Sequence, residues 1–195
     1  DFSDGFSQVP AITYDDTLST MYLIENWIGN EDGQGLLRLT TISGPVGDEV
    51  YTQDVAFVTT ADVWADDPPH NNFALQAGSS TGIMTNDSRM QNAVYRNGSI
   101  WGTHTIFLPE SGPTRSAVQW WEISPIGSVV QRGRIDDPTG NRYFAFPSIA
   151  VNENDDALIG YSRFASDQFV SANYAFRAGG DLLNTLQDDT VLKEG

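Results

Sequence analysis

The sequence predicts an all-β chain, and three observations carry that expectation. Short runs rich in β-branched and aromatic residues recur from end to end, punctuated by Gly, Pro, Asn and Asp. No long window sets apolar residues at i, i+3, i+4 and i+7 behind a capping residue, so helices are not expected. Asn97-Gly98 joins AVYR to SIWGTHTIFL, as a two-residue type I′ hairpin would.

The runs group into three sets of four. The first comprises 10–14, 20–27, 36–43 and 49–57. The second comprises 91–96, 99–108, 116–124 and 129–135. The third comprises 147–152, 157–163, 170–177 and 186–192. Gly-bearing turns separate the third and fourth runs of every set: SGPVGD, SPIGS and AGGDLLN. The stretch VPAITYDDTLSTMYLIEN near the start is echoed by FAFPSIAVNENDDALIGYSR, Pro10 and Ile12 returning as Pro147 and Ile149. Repeated four-stranded meanders are the mark of a β-propeller.

The expected architecture is therefore one propeller-like domain over 1–195, with three four-stranded antiparallel blades at about 9–57, 90–135 and 146–192 and a long insertion at 58–89. A β-sandwich is the alternative, because regular short strands suit it too. Apolar residues on both faces of one strand favour blades: Val118 and Trp120 on one side, Ala117, Trp121 and Ile123 on the other. Propellers close with about four to eight blades. Three would leave apolar faces to be covered by more chain or by self-association, two copies meeting face to face about a two-fold axis.

DSRMQNAVYRNGSIWGTHT (87–105) and FPSIAVNENDDALIGYSRFASDQFVSANYAFRAGGDLL (146–183) resemble segments of secreted bacterial propeller proteins of unassigned function, a group distantly similar to the sialidase-like propellers. The resemblance covers the C-terminal half best and the first blade weakly. It implies a ring that continues beyond VLKEG, so that this chain is a partial propeller. The Asp-box of such proteins, Ser/Thr-x-Asp-x-Gly-x-x-Trp, is approached by SDGFS and NENDD without being completed.

Twenty-six acidic residues against ten basic ones give a formal charge of −16. A surface of that sign repels phosphate backbones, so nucleic acid and anionic membranes are poor partners. No apolar run is long enough for a spanning helix, and membrane insertion is not expected. The acidity suits a secreted protein, extracellular or periplasmic. There is no cysteine, hence no disulfide framework and no thiolate chemistry.

Meander topology sends the segments 28–35, 58–89, 109–115, 136–145 and 164–169 to one rim, where long loops on a rigid scaffold would bind a ligand. Trp64, His70, Arg89, Arg115, Arg142 and Tyr143 are the candidate binding residues there, among many carboxylates. Aromatic faces beside acids and guanidiniums suit a glycan. Asp66-Asp67 and Asp136-Asp137 are candidate Ca2+ ligands, because that ion takes six to eight hard oxygens. NENDD lacks the glycine of a calcium loop and reads as a hairpin turn.

No catalytic signature names a reaction. A glycoside hydrolase fragment of sialidase-like type is the enzymatic alternative, with Glu122 and Tyr161 as a nucleophile pair and arginines gripping a substrate carboxylate. His104, mid-strand, is expected to be a satisfied core histidine, or else a neutral general base.

Overall fold

The computed structural model describes residues 7–65 and 72–195. Fifteen strands and no helix occur among them. The first set of runs gives β1 (Val9–Pro10), β2 (Ile12–Thr13), β3 (Thr20–Glu31), β4 (Gln34–Ser43) and β5 (Val50–Thr60). The segment after it contains a small hairpin, β6 (Ala74–Gln76) and β7 (Ser79–Ile83). The second set gives β8 (Met90–Arg96), β9 (Ser99–Leu108), β10 (Arg115–Ile123) and β11 (Val129–Ile135). The third gives β12 (Tyr143–Val151), β13 (Ala157–Ala165), β14 (Gln168–Arg177) and β15 (Thr190–Lys193).

Three open sheets result. Sheet A runs β1-β3-β4-β5, and sheet B runs β11-β10-β9-β8-β2. Sheet C holds β12, β13, β14 and β15, with the β6–β7 hairpin attached where Gln76 pairs in parallel with Ala165. The long pairings within each set are antiparallel. The first run of the first set is split. β1 pairs with β3, but β2 crosses to lie parallel to β8, with Ile12 opposite Val94 and Thr13 opposite Tyr95.

Side-chain alternation explains why sheet B sits between the other two. Residues of one parity, Ala117, Trp121 and Ile123, enter a cluster with Ile24, Leu37, Val58 and Trp64 of the sheet A region. Residues of the other parity, Val118 and Trp120, enter a second cluster with Phe144, Ile149, Ile159 and Ala175 of sheet C. Sheet B is thus apolar on both faces because both are covered. Trp101 and Trp120 stack in the B–C seam at 6.4 Å and 13°, an arrangement that adds about 0.5–1.5 kcal/mol to the burial itself. The strand β12 also leans on sheet B through polar contacts, the Ile149 amide donating to Asn92 Oδ1 at 2.8 Å.

The turns follow their residues. Asn97 and Gly98 have φ of 48° and 84°, both positive, as a type I′ hairpin demands. Asp32 and Gly33, at 50° and 74°, make a second such turn. In 152–156 the Asn152 carbonyl accepts from the Asp155 amide at 3.2 Å, and Asn152 Oδ1 accepts from the amides of Asn154 and Asp156 at 2.8 and 3.0 Å. NENDD is a hairpin turn.

Loop lengths correct one expectation. The segment 28–35 is mostly strand around Asp32-Gly33, and 164–169 is two strand ends around Ser166-Asp167. The longest connection at the opposite end, 178–189, leaves β14 and returns alongside it, the Gln187 amide donating to the Phe176 carbonyl at 2.8 Å. It also reaches sheet B, where Asn184 Oδ1 accepts from the Arg132 amide at 3.0 Å. Elaboration is shared between the two ends of the stack.

Candidate binding clefts

The expected site residues are distributed over separate contacts. Trp64 is fully buried, edge-on to His104 at 5.2 Å and to Trp121 at 6.0 Å, and so belongs to the A–B core rather than a rim. Tyr143 is buried under the β6–β7 hairpin with Ala74, Ala145 and Phe164. Arg89 chelates Asp87, its Nε donating to Oδ1 at 2.6 Å. Arg115 holds Asp136 with two parallel bonds of 2.8 Å. Arg142 donates to Gln168 Oε1 at 2.7 Å and lies 3.7 Å from Asp167. His70, Asp66 and Asp67 lie outside the described residues.

Asp137 folds its own loop. It accepts from the amide and hydroxyl of Thr139 at 2.9 and 2.6 Å and from the amides of Asn141 and Arg142 at 3.2 and 3.0 Å. The Thr139 hydroxyl, ahead of the amide bonds, holds its carboxyl below the usual carboxylate range. With Asp136 held by Arg115, both carboxylates of this pair have protein partners. Among the described residues no group of three or more His, Asp or Glu side chains is placed to hold a metal ion.

The catalytic candidates do not converge. Glu122 accepts from the Ser99 hydroxyl at 2.7 Å and from Gln131 Nε2 at 2.5 Å. The Tyr161 hydroxyl donates to Asp189 Oδ1 at 2.6 Å, and burial, followed by that carboxylate, pushes its pKa above the usual tyrosine range. Asp189 also accepts from Asn173 Nδ2 at 2.8 Å and pairs with Arg163. This knot fastens the end of the 178–189 connection to sheet C. His104 is wholly buried in the A–B seam. The Trp121 indole N–H can only donate, and it reaches His104 Nε2 at 3.1 Å. Nδ1 therefore carries the ring proton and donates it to the Ser88 carbonyl at 2.9 Å. Both nitrogens are engaged, and burial lowers the pKa to about 4.

Two clefts of about 330 Å³ stand out. One lies between sheets B and C under the 184–189 segment, over Trp120, Phe144 and Tyr161. These three rings are buried, so the cleft offers little aromatic face. The other lies at the end of the A–B seam and is lined by Tyr14, Asp15, Asp16, Tyr95, Arg96, Asn97 and Gly98. Its geometry follows from the β2 crossover. Continuing the β2–β8 register beyond Thr13 and Tyr95 brings Tyr14 beside Arg96, whose guanidinium carbon sits 5.2 Å from the Tyr14 ring centre. Tyr95 stacks on Tyr22 of sheet A at 5.2 Å and 10°.

Tyr14 is 64% exposed. Beside it, Asp15 accepts from the Thr17 hydroxyl at 2.6 Å and amide at 2.9 Å, which lowers its pKa. Asn97 Nδ2 donates to the Glu153 carbonyl and to Asp155 Oδ1, both at 2.9 Å, tying this end of sheet B to sheet C. Arg96 Nε is buried and has no hydrogen-bond partner among the described residues. Sequence reasoning placed the binding residues at the other rim. The signal for this cleft was local, an aromatic residue followed by two acids in TYDD.

No protein-family model matches the chain, and no curated protein matches it.

Proposed function

We propose that the chain is a propeller-type, non-catalytic module of an extracellular or periplasmic protein that binds a glycan in the cleft formed by Tyr14, Asp15, Asp16, Tyr95 and Arg96. The propeller reading is supported by three meander sheets stacked in chain order, with their first strands at neighbouring positions along the stack. The observation that carries the binding reading is the exposed Tyr14 ring inside a cleft edged by carboxylates. A sugar presents a C–H face to such a ring and hydroxyls to the acids around it. The cleft volume, about 330 Å³, is at the lower end of the range for small-ligand sites, about 300–1,000 Å³.

The hydrolase alternative draws no support from the arginines. Arg89, Arg115 and Arg163 face Asp87, Asp136 and Asp189 respectively, and Arg177 is buried and donates to the Ala178 and Asp181 carbonyls, each on its own part of the fold. Gripping one substrate carboxylate requires several guanidiniums at one point.

Titrating a panel of neutral mono- and oligosaccharides, followed by amide chemical shifts, tests the binding reading. Shifts should centre on Tyr14, Tyr95 and Asn97, and Tyr14→Ala should weaken binding at least about tenfold, the scale of one lost aromatic contact. Binding indifferent to Tyr14→Ala overturns the site. Turnover of a chromogenic glycoside that disappears in Glu122→Gln would establish the enzyme instead.

A further inference from the structure

Sheet B shows what this chain places on an apolar sheet face: another sheet of the same build. Two such faces have no covering sheet among the described residues. On sheet C the outward parity carries Ala150, Leu158 and Phe176 in one cross-strand row, Ser148, Gly160 and Tyr174 in the next, and Ser162 and Ala172 in a third. No charged side chain of β12, β13 or β14 occurs in these rows, although the chain carries a net −16, and Leu158 is 43% exposed. Lys193, opposite Ala172 on β15, is the charge at the margin.

On sheet A the outward parity carries Met21, Ile42 and Tyr51 in one row and Glu25, Arg38 and Phe57 in another. Met21, Tyr51 and Phe57 are about half exposed, at 50%, 50% and 48%. Buried Arg38 bridges buried Glu25 and half-exposed Asp54, and Gln8 donates to Glu25 and to the Tyr51 hydroxyl, so the exposed apolar side chains of this face flank a polar network.

We propose that a second copy of the chain covers both faces at once, sheet C of each copy packing on sheet A of the other to close a six-sheet ring about a two-fold axis. The proposal rests on the propeller-type reading above and is independent of the saccharide. Continuity of the stack supports a second copy as the cover. Sheet A is followed on the stack by B and B by C, with the first strand of each set beside the next: β2 pairs with β8, and β12 lies against β8 and β9. The same step repeated from C would add a further four-stranded sheet, and the face that sheet A turns outward offers half-exposed Met21, Tyr51 and Phe57 to meet it. Six sheets fall within the four to eight that close a ring. Each contact then occurs twice in a two-fold dimer, which satisfies every free face without an open-ended filament.

The seam chemistry also fixes the response to salt. Two chains of formal charge −16 repel at long range, whereas the exposed side chains of the meeting faces are mostly apolar, with Asp54 and Lys193 as charges beside them. Screening should therefore strengthen the dimer.

Light scattering after size exclusion tests this with the full chain. The expected mass is twice 21.4 kDa, with the dimer fraction rising with added sodium chloride. Leu158→Glu on sheet C and Phe57→Glu on sheet A should each weaken association by about 100-fold per contact, the scale of an unpaired charge in an interface, and both contacts of a variant dimer carry it. Both positions are surface-exposed in the single chain, and near-ultraviolet dichroism checks that the variants fold. An equimolar mixture of the two variants keeps one intact C–A contact and should recover a mixed dimer that neither forms alone. A wild-type monomer up to submillimolar concentration overturns the proposal. So does a dimer that Leu158→Glu breaks and Phe57→Glu spares, because sheet C would then be meeting sheet C. Saccharide binding measured on the monomeric variants reports on the Tyr14 cleft separately, so the failure of one idea is not read as failure of the other.

Discussion

Trp120 and Trp121 are neighbours on one strand, yet they serve opposite seams by different chemistry. Trp120 faces sheet C, stacks on Trp101, and its indole N–H has no hydrogen-bond partner among the described residues. Trp121 faces the A–B seam, and its indole N–H is bonded to His104 Nε2. The B–C seam around Trp120 is thus packed by shape and dispersion. The A–B seam carries a directional chain, Trp121 to His104 to the Ser88 carbonyl, which Asn26 Nδ2 also reaches at 2.9 Å. A polar chain inside a seam specifies one arrangement, but it also makes that seam sensitive to protons.

The largest expected effect breaks the two seams apart by pH. His104 titrates near 4 in the folded chain against 6.5 for the free side chain, because burial first, and the Arg134 charge after it, disfavour imidazolium, more than the Ser88 bond favours it. The folded pKa is depressed, so between these values the unfolded chain binds the extra proton. Stability from this group is complete above about pH 6.5 and is lost as pH falls toward 4, by about 3 kcal/mol in all. His104→Gln, which can still accept from Trp121 and donate to Ser88, should flatten that slope. Urea unfolding at intervals from pH 7.5 to 4, compared between the two proteins, measures it. Parallel pH profiles would show that the A–B seam is not the sensor.

The next effect sharpens the comparison at a single strand. Trp121→Phe removes ring volume and also leaves His104 Nε2 buried without a donor, whereas Trp120→Phe removes ring volume alone. Both should destabilise, and Trp121→Phe should cost about 1–3 kcal/mol more, the usual penalty of an orphaned buried acceptor. Equal losses in denaturant midpoint would mean that the indole–imidazole bond contributes nothing net.

The same contrast bears on what the sequence made legible. The second set of runs became β8 to β11 with ends shifted by a residue or so, because Asn97-Gly98 pins its register. The opposed parities of Val118/Trp120 and Ala117/Trp121/Ile123 foretold two covered faces. Asp32-Gly33 is as readable a hairpin as Asn97-Gly98, and the loop expected over 28–35 is two strands joined by it. The division of the first strand was not readable: β2 leaves sheet A for a parallel partner more than 80 residues away at Val94, and local pattern is silent on such pairing. Nor was the late start of β15 at Thr190, since the segment before it is drawn aside when Asp189 is captured by Tyr161, Arg163 and Asn173. The candidate cleft shares that history. Its residue types, aromatic with acidic, were expected, but the β2 crossover decides which aromatics meet which acids.

The smallest effect asks whether the B–C seam has a polar contact of its own that ignores protons. The Ile149 amide, on a buried residue of β12, donates to Asn92 Oδ1 on β8. Asn92→Ala should cost about 1 kcal/mol, the net value of one neutral hydrogen bond. Neither partner titrates between pH 4 and 7.5, so the loss should be the same at both ends of that range. Denaturant midpoints at the two ends decide it. A loss that grows on acidification would tie Asn92 to His104 across sheet B, and the two faces of that sheet would then be one coupled unit rather than two independent seams.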